Sequence, residues 1–431
     1  MKKVLIITYY WPPMGGGGVQ RWLKTTKYLR EFGWEPVIFT ADGAELSMYD
    51  ESLLIDIPNG VEVIKAPIWE PFDLYKRFIG QKEEKINPGF LQKKKGNSFL
   101  QDFSVWVRGN FFIPDAKKFW LNPAVKKLNS FLKDNKIDAI VSTGPPHTTH
   151  LIAQKVTSFF NIPWMADFRD PWTNIDFYHQ LKLTSWADKK HKRLEKKVLE
   201  DADILVTVSE SWAKDFLSIS AIEPIVITNG FDPDDFLEVG KLVLDEKFSI
   251  THVGSLNKDR NPFIFWKAIN ELIQEDSAFA ADLEIKLIGP IDISINEELV
   301  KYNLILQTTL IDSLPHKDVL SHLIQSQVLL LPLNDVPNID GVIPGKMYEY
   351  FGAKRPIICI GKEDGDAAKI IQSTQTGVVV DFSDSKRLKK EILNMYQEYK
   401  KETLKVDSCG YMKYSRKELA SKIANVLNDI S

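Results

Sequence analysis

Cysteine is nearly missing from this 431-residue sequence; Cys359 and Cys409 are the only two. A single distant pair builds neither a disulfide framework nor a paired-cysteine metal site, and it suits a reducing compartment. Long apolar runs are missing as well, since none reaches the roughly 18 residues that span a bilayer. The apolar start, Val4 to Tyr10, is cut by Trp11-Pro12-Pro13 and no small-residue cleavage site follows. It reads as a first buried strand rather than a secretory signal, and the expected location is the cytoplasm. Nor does one charge predominate: 55 Lys and Arg stand against 58 Asp and Glu, a net of -3. That balance excludes a protein built to coat nucleic acid. What remains is globular, with 44% hydrophobic and 26% charged residues, and long enough for two domains with separate cores.

The pattern along the chain is strand and helix in alternation. Val4-Leu5-Ile6-Ile7 ends in a Pro/Gly turn, Gln20 to Phe32 carries Trp22, Leu23, Tyr28 and Leu29 at mainly helical spacing before Gly33, and Pro36 to Phe39 is a strand. That is a βαβ unit, which implies a parallel sheet. Further strands are predicted at 139–141, 163–166, 204–208 and 225–227. Residues 231–247 are acidic and poorly periodic, and the domain junction is placed there. A second βα series follows, with strands at 249–253, 283–288, 328–331 and 356–360 and helices at 262–273, 317–324 and 346–353. The last helix, Arg416 to Ile430, aligns Leu419, Ile423, Leu427 and Ile430 on one stripe that needs a partner surface, expected on the first domain. The segment 76–120 fits neither series. Its Lys93-Lys94-Lys95, Arg108 and Lys117-Lys118 alternate with Phe99, Phe103, Trp106, Phe111, Phe112, Phe119 and Trp120. Two readings stand: contact with an anionic membrane surface, or aromatics capping the sheet beneath solvated lysines.

Four constellations follow strands, where parallel sheets bind ligands. Gly15-Gly16-Gly17-Gly18 lets backbone N–H groups approach an anion at a helix start. Asp42 after the second strand makes an NAD enzyme the rival, but Gln20 and Arg21 stand where a third dinucleotide-motif glycine is required. Pro344-Gly345-Lys346-Met347-Tyr348-Glu349 brings Lys346 and Glu349 into a helix's first turns, the lysine suited to a diphosphate and the glutamate to ribose hydroxyls. His252-Val253-Gly254-Ser255 with Arg260 supplies a close backbone approach and a second cation, so no metal is required for the leaving diphosphate. The strings Asp232-Pro233-Asp234 and Asp364-Gly365-Asp366 are expected in turns or caps rather than on a metal. Finally, Gly144-Pro145-Pro146-His147 and Asp167-Phe168-Arg169-Asp170-Pro171-Trp172 offer an exposed His147 for a donor phosphate or sugar hydroxyl. There Asp167 or Asp170, with Arg169, would orient an acceptor; the alternative is an internal Asp–Arg pair that shapes the loop.

In this order the segments resemble family 4 glycosyltransferases of the GT-B fold over nearly the whole length, least at 76–120. Gly17-Gly18-Val19-Gln20 resembles the family's first-turn glycines, Thr228 to Asp232 the entry to its interdomain linker, Gly254 with Arg260 its G-R-L-x-x-x-K region, and Glu349 with Gly352 and Pro356 the latter half of its donor motif. Two departures stand out. Ser255 replaces the usual arginine after Gly254, and Gly341 replaces the first carboxylate of the E-x7-E pair, leaving the backbone N–H groups of 341–345 as donors. The resemblance implies two Rossmann-like domains with a cleft: 1–230 for the acceptor, a linker at 231–247, 248–410 for the nucleotide sugar, and 411–431 packing back on the first domain. It also implies retaining transfer from a UDP- or GDP-sugar, without a metal or other cofactor. The implied acceptor is a saccharide, lipid-linked in surface polysaccharide assembly, and nucleic acid is not a partner. A nucleotide-sugar epimerase and a catalytically silent sugar-nucleotide binder are the alternatives.

Overall fold

A computed structural model of the protein describes residues 1–44, 49–70, 98–240 and 243–431. The chain divides into two compact units, Met1–Thr228 with Arg416–Ser431, and Asn229–Ser415. Lys93-Lys94-Lys95 of the basic-aromatic segment lie outside the described residues.

In the first unit β1 (Lys2–Ile7), β2 (Trp34–Asp42), β3 (Glu62–Pro67), β4 (Ala139–Gly144), β5 (Trp164–Phe168), β6 (Ile204–Thr207) and β7 (Ile225–Val226) form one parallel sheet. Its order is β3-β2-β1-β4-β5-β6-β7. The central strands are continuous apolar runs because helices cover both faces; Val4 to Ile7 and Ile140 and Val141 are fully buried. The C-terminal helix Arg416–Ile430 belongs to this unit, where Leu419, Ile423 and Leu427 are buried and the helix packs on Gly17–Leu29. Asn428 Oδ1 accepts a hydrogen bond from Trp34 Nε1 at 3.2 Å.

The second unit repeats the plan. Strands β8 (Phe248–Val253), β9 (Leu283–Ile288), β10 (Thr308–Ile311), β11 (Val328–Pro332), β12 (Ile357–Ile360) and β13 (Gly377–Val380) pair in parallel in the order β10-β9-β8-β11-β12-β13. The expected linker at 231–247 is a correction, since much of it is built into this unit. Asp232 Oδ1 accepts from Asp234 N at 3.2 Å and caps a short helix, Pro233–Val239. Phe231 is buried, and a Cβ on Gly352 would meet the Phe236 ring at 2.1 Å, so the segment packs tightly. One helix of seven residues is too short to show a hydrophobic period. The 411–431 boundary also moves, because Tyr411 to Tyr414 stay with the second unit and the crossing begins at Arg416.

Candidate functional site

Each sheet has one place where successive connections leave in opposite directions, between β1 and β4 in the first and between β8 and β11 in the second. The loops beyond those strand ends cannot cover each other, and ligands bind in the crevice they leave. All four constellations sit on loops near such points.

In the second unit β8 is followed by Gly254, whose φ of +92° lies in a region L side chains rarely adopt. A Cβ there would lie 2.7 Å from Lys346 Nζ. The glycine therefore answers both a backbone and a packing demand. Lys346 opens the helix Lys346–Ala353, and its ammonium lies 3.3 Å from His252 Nε2. His252 Nδ1 is 2.9 Å from the carbonyl oxygen of Leu330, so that nitrogen carries the proton and Nε2 faces the lysine as an acceptor. Burial first, and then Lys346, hold His252 well below its ordinary range, which keeps it neutral. Burial and then Arg260 likewise hold Lys346 well below 10.5, with Glu349 opposing. Among the described residues no carboxylate forms an ion pair with Lys346. Arg260 is aimed by Asn334 Oδ1, which accepts from its Nε at 2.9 Å, and by the Ser255 carbonyl, which accepts from its NH1 at 3.2 Å. Glu349, one turn beyond Lys346, sits 3.2 Å from His316 Nε2. Gly345 precedes Lys346 with open space around its Cα. The structure thus brings Gly254, Arg260, Lys346, Gly345 and Glu349 together. Two lysine and arginine cations beside a glycine turn form a site shaped for an anion.

The first unit corrects three expectations. Asp167 is fully buried, and its carboxylate accepts from Arg21 Nε at 3.1 Å and NH2 at 2.8 Å, Trp22 Nε1 at 2.7 Å and Thr143 Oγ1 at 2.8 Å. Four donors saturate it, so it holds β5 to the first helix and has nothing left for an acceptor. Arg169 pairs with three carbonyls instead: Gly18 at 2.7 Å, Gly144 at 3.2 Å and Pro145. It stitches the glycine loop to the loop after β4. The internal Asp–Arg pair exists, with Arg21 in place of Arg169. His147 was expected exposed but is 7% exposed, stacked on Trp172 with centroids 4.7 Å apart and planes 3° apart. Its Nδ1 is buried without a hydrogen-bond partner among the described residues, and burial keeps the ring neutral.

Asp170 is the half-buried carboxylate that remains. Burial raises it, Arg169 opposes, and no described residue donates a hydrogen bond to it. Gly18 is closely packed, since a Cβ would meet the Tyr10 ring at 3.0 Å, whereas Gly17 faces open space. Of the paired Asp strings, Asp232 caps a helix and Asp364 lies 3.6 Å from Lys362. Sequence reasoning quoted His252 and Trp172 within its motifs without giving either a role, and missed His316 and His150, although the spacing His147-x-x-His150 was visible. His150 stacks on Phe168 at 4.3 Å, bonds Ser142 Oγ at 2.8 Å through Nδ1, and is driven down to about 3 by burial.

Two parallel-sheet, Rossmann-like units, each with its loops at a switch point, define the GT-B class of glycosyltransferases. Family models agree: Glycosyltransferase Family 4 matches residues 92–235, and Glycosyl transferases group 1 matches 247–398. The chain belongs to these glycosyltransferases and is a transferase. No curated protein sequence matches it significantly. Solved structures resemble it over their whole length at low identity. An alpha,alpha-trehalose-phosphate synthase (UDP-forming) from Burkholderia xenovorans shares 13% identity at a TM-score of 0.60, covering 99% of this chain and 100% of that one. WaaG, a glycosyltransferase involved in lipopolysaccharide biosynthesis, shares 12% at 0.57, covering 98% and 99%. Anabaena Alr3699/HepE, solved with UDP-glucose, shares 13% at 0.57, covering 100% and 98%.

Proposed function

We propose that the second unit binds a UDP- or GDP-sugar and that the enzyme transfers the sugar with retention to a saccharide acceptor held by the first unit. The observation that carries this is the Lys346 ammonium, lodged against Gly254 beside Arg260, with Glu349 acting on it only through space and no carboxylate ion-paired to it among the described residues. A diphosphate supplies the missing negative charge. As the sugar–phosphate bond breaks, charge grows on the departing diphosphate, and both cations stabilise it without reorganising. A phosphate oxygen of that leaving group takes the acceptor's proton on the same face, so no strong protein base is needed. Glu349 takes the ribose hydroxyls, and backbone N–H groups of 341–345 take the place of the missing carboxylate. Asp170, the half-buried carboxylate of the first unit, orients the acceptor hydroxyl. The UDP-glucose bound by the Anabaena neighbour favours a UDP-linked donor, and WaaG's involvement in lipopolysaccharide biosynthesis favours a lipid-linked saccharide acceptor.

The test is a thermal-shift screen against UDP- and GDP-sugars in EDTA, followed by transfer assays with saccharide acceptors in EDTA. Stabilisation by a nucleotide sugar and acceptor-dependent turnover are expected. Full turnover without an acceptor would identify an epimerase, and binding without turnover on any acceptor a silent binder. Loss of activity in EDTA that Mg2+ restores would reject the metal-free reading.

A further inference from the structure

One face of the first unit is both strongly basic and aromatic. The helix Ser185–Asp201 is capped by Thr184 and buries Ala187, His191, Glu195, Val198 and Leu199. Its other side exposes Trp186, at 62%, together with Lys189, Lys190, Arg193 and Lys197. Asp188 and Glu200 pair with Lys192 and Lys196, but among the described residues those four cations have no carboxylate partner. Lys190 Nζ lies over the Trp186 ring, 4.9 Å from its centroid. The patch continues onto neighbouring segments. Lys118 stands 5.0 Å from the Phe119 ring centroid and is pulled down by burial and then by the charge of Lys190. Trp69, 56% exposed, meets Phe119 edge-on at 4.9 Å. The helix Ser98–Phe111 packs alongside and exposes Phe103 and Phe111.

Lysines that repel one another without acidic relief are tolerated where a large anion neutralises them together. We propose that this face docks on a bilayer surface rich in anionic lipid, with Trp186, Trp69 and Phe111 entering the headgroup layer and the lysines above them on lipid phosphates. Three features favour lipid over an acidic macromolecule. Indoles and phenyl rings interleave with the cations, as at a membrane–water interface. Lysine, a point charge, outnumbers arginine, the side chain suited to base edges and phosphate forks. The chain as a whole carries -3, so attraction to an anionic surface comes from a local patch such as this one and not from the net charge. No helix among the described residues is long and apolar enough to cross a membrane, so attachment is by surface contact. The surface deepens the transferase reading by bringing the unit assigned to the acceptor against the bilayer.

Each basic residue near an anionic leaflet raises partitioning about fivefold. Removing four cations, and adding four carboxylates in their place in K189E/K190E/R193E/K197E, should therefore lower it at least several hundredfold. The experiment is co-sedimentation of the full chain with phosphatidylcholine vesicles, with or without about one-third phosphatidylglycerol, at roughly 0.1 M salt, where screening is moderate. The wild type should pellet with the anionic vesicles and be released by high salt. The quadruple variant should stay in solution with an unchanged melting temperature, and Trp186→Ser should bind several-fold more weakly. Equal pelleting with neutral vesicles, no pelleting at all, wild-type binding by the quadruple variant, or tighter binding to an RNA oligonucleotide than to the vesicles would each overturn the proposal. Vesicle binding is read without donor or acceptor, so its failure would leave the transferase reading standing.

Discussion

Replacing Lys346 with methionine separates a binding role from a structural one by sign. In the free protein the ammonium lies 3.3 Å from a neutral imidazole, is repelled by Arg260, and has no carboxylate ion pair among the described residues. Methionine keeps most of the aliphatic volume and removes that poorly solvated cation, so Lys346→Met should be more stable than the wild type. A gain of about 1 kcal/mol raises the melting temperature of a unit this size by about 2–4 °C. With the donor bound, the same change removes a charge-assisted hydrogen bond to phosphate worth about 1.5–3 kcal/mol. The donor KM should then rise about 10- to 150-fold. Differential scanning calorimetry and initial-rate kinetics over donor concentration read the two effects. The pH dependence provides a further check. The free lysine is held below 10.5 and a bound diphosphate raises it, so donor binding takes up a proton where pH lies between the free and bound values, and affinity should fall as pH rises through that window. The methionine variant should lack that slope. A less stable variant with unchanged donor KM would refute the reasoning, because Lys346 would then be a structural cation.

Three further changes probe the rest. Gly254→Ala forces a Cβ into a left-handed backbone and against Lys346 Nζ at 2.7 Å, so donor KM should rise by at least tenfold, measured by steady-state kinetics. Asp167→Ala leaves Arg21 buried without its partner and should lower stability by about 3–5 kcal/mol, read from the urea midpoint. If its stability is unchanged, the structural assignment fails. His150 protonates near 6.5 when unfolded but near about 3 when folded, so its contribution is lost as pH falls through that window. At pH 5 the penalty is about 2 kcal/mol relative to neutral pH, and His150→Gln should flatten the acid limb of a stability–pH curve by that amount.

Much of the architecture was legible before any coordinates. Strands β1, β4, β8 and β11 run through the middle of their sheets, covered on both faces; β1 and β11 therefore appear as unbroken apolar runs, and β4 opens with one, Ala139-Ile140-Val141. Of the edge strands β7 appeared, but β3, β10 and β13 did not. In β3 Glu62, Lys65 and Pro67 are exposed, and β10 exposes Thr309 and Leu310, so neither carries a continuous signal. The C-terminal stripe announced a helix that needed a partner, because a one-sided apolar face is a local pattern.

What each charged residue does was decided by tertiary structure. Asp167, Arg169 and Asp170 are near neighbours on one loop and equally polar as letters. Folding saturates the first with donors that include Arg21, 146 positions away, gives the second three carbonyls, and leaves the third without a hydrogen bond from any described residue. Likewise Lys346 and Gly254 each suggested an anion site, but the 2.7 Å approach between them, and His252 holding the lysine, arise where separate loops converge at one sheet edge. Composition and periodicity encode which segments must be buried, since burial is a property of a residue's own side chain. The partner that fills a hydrogen bond or neutralises a charge is a property of three-dimensional neighbours, and only the folded chain supplies those.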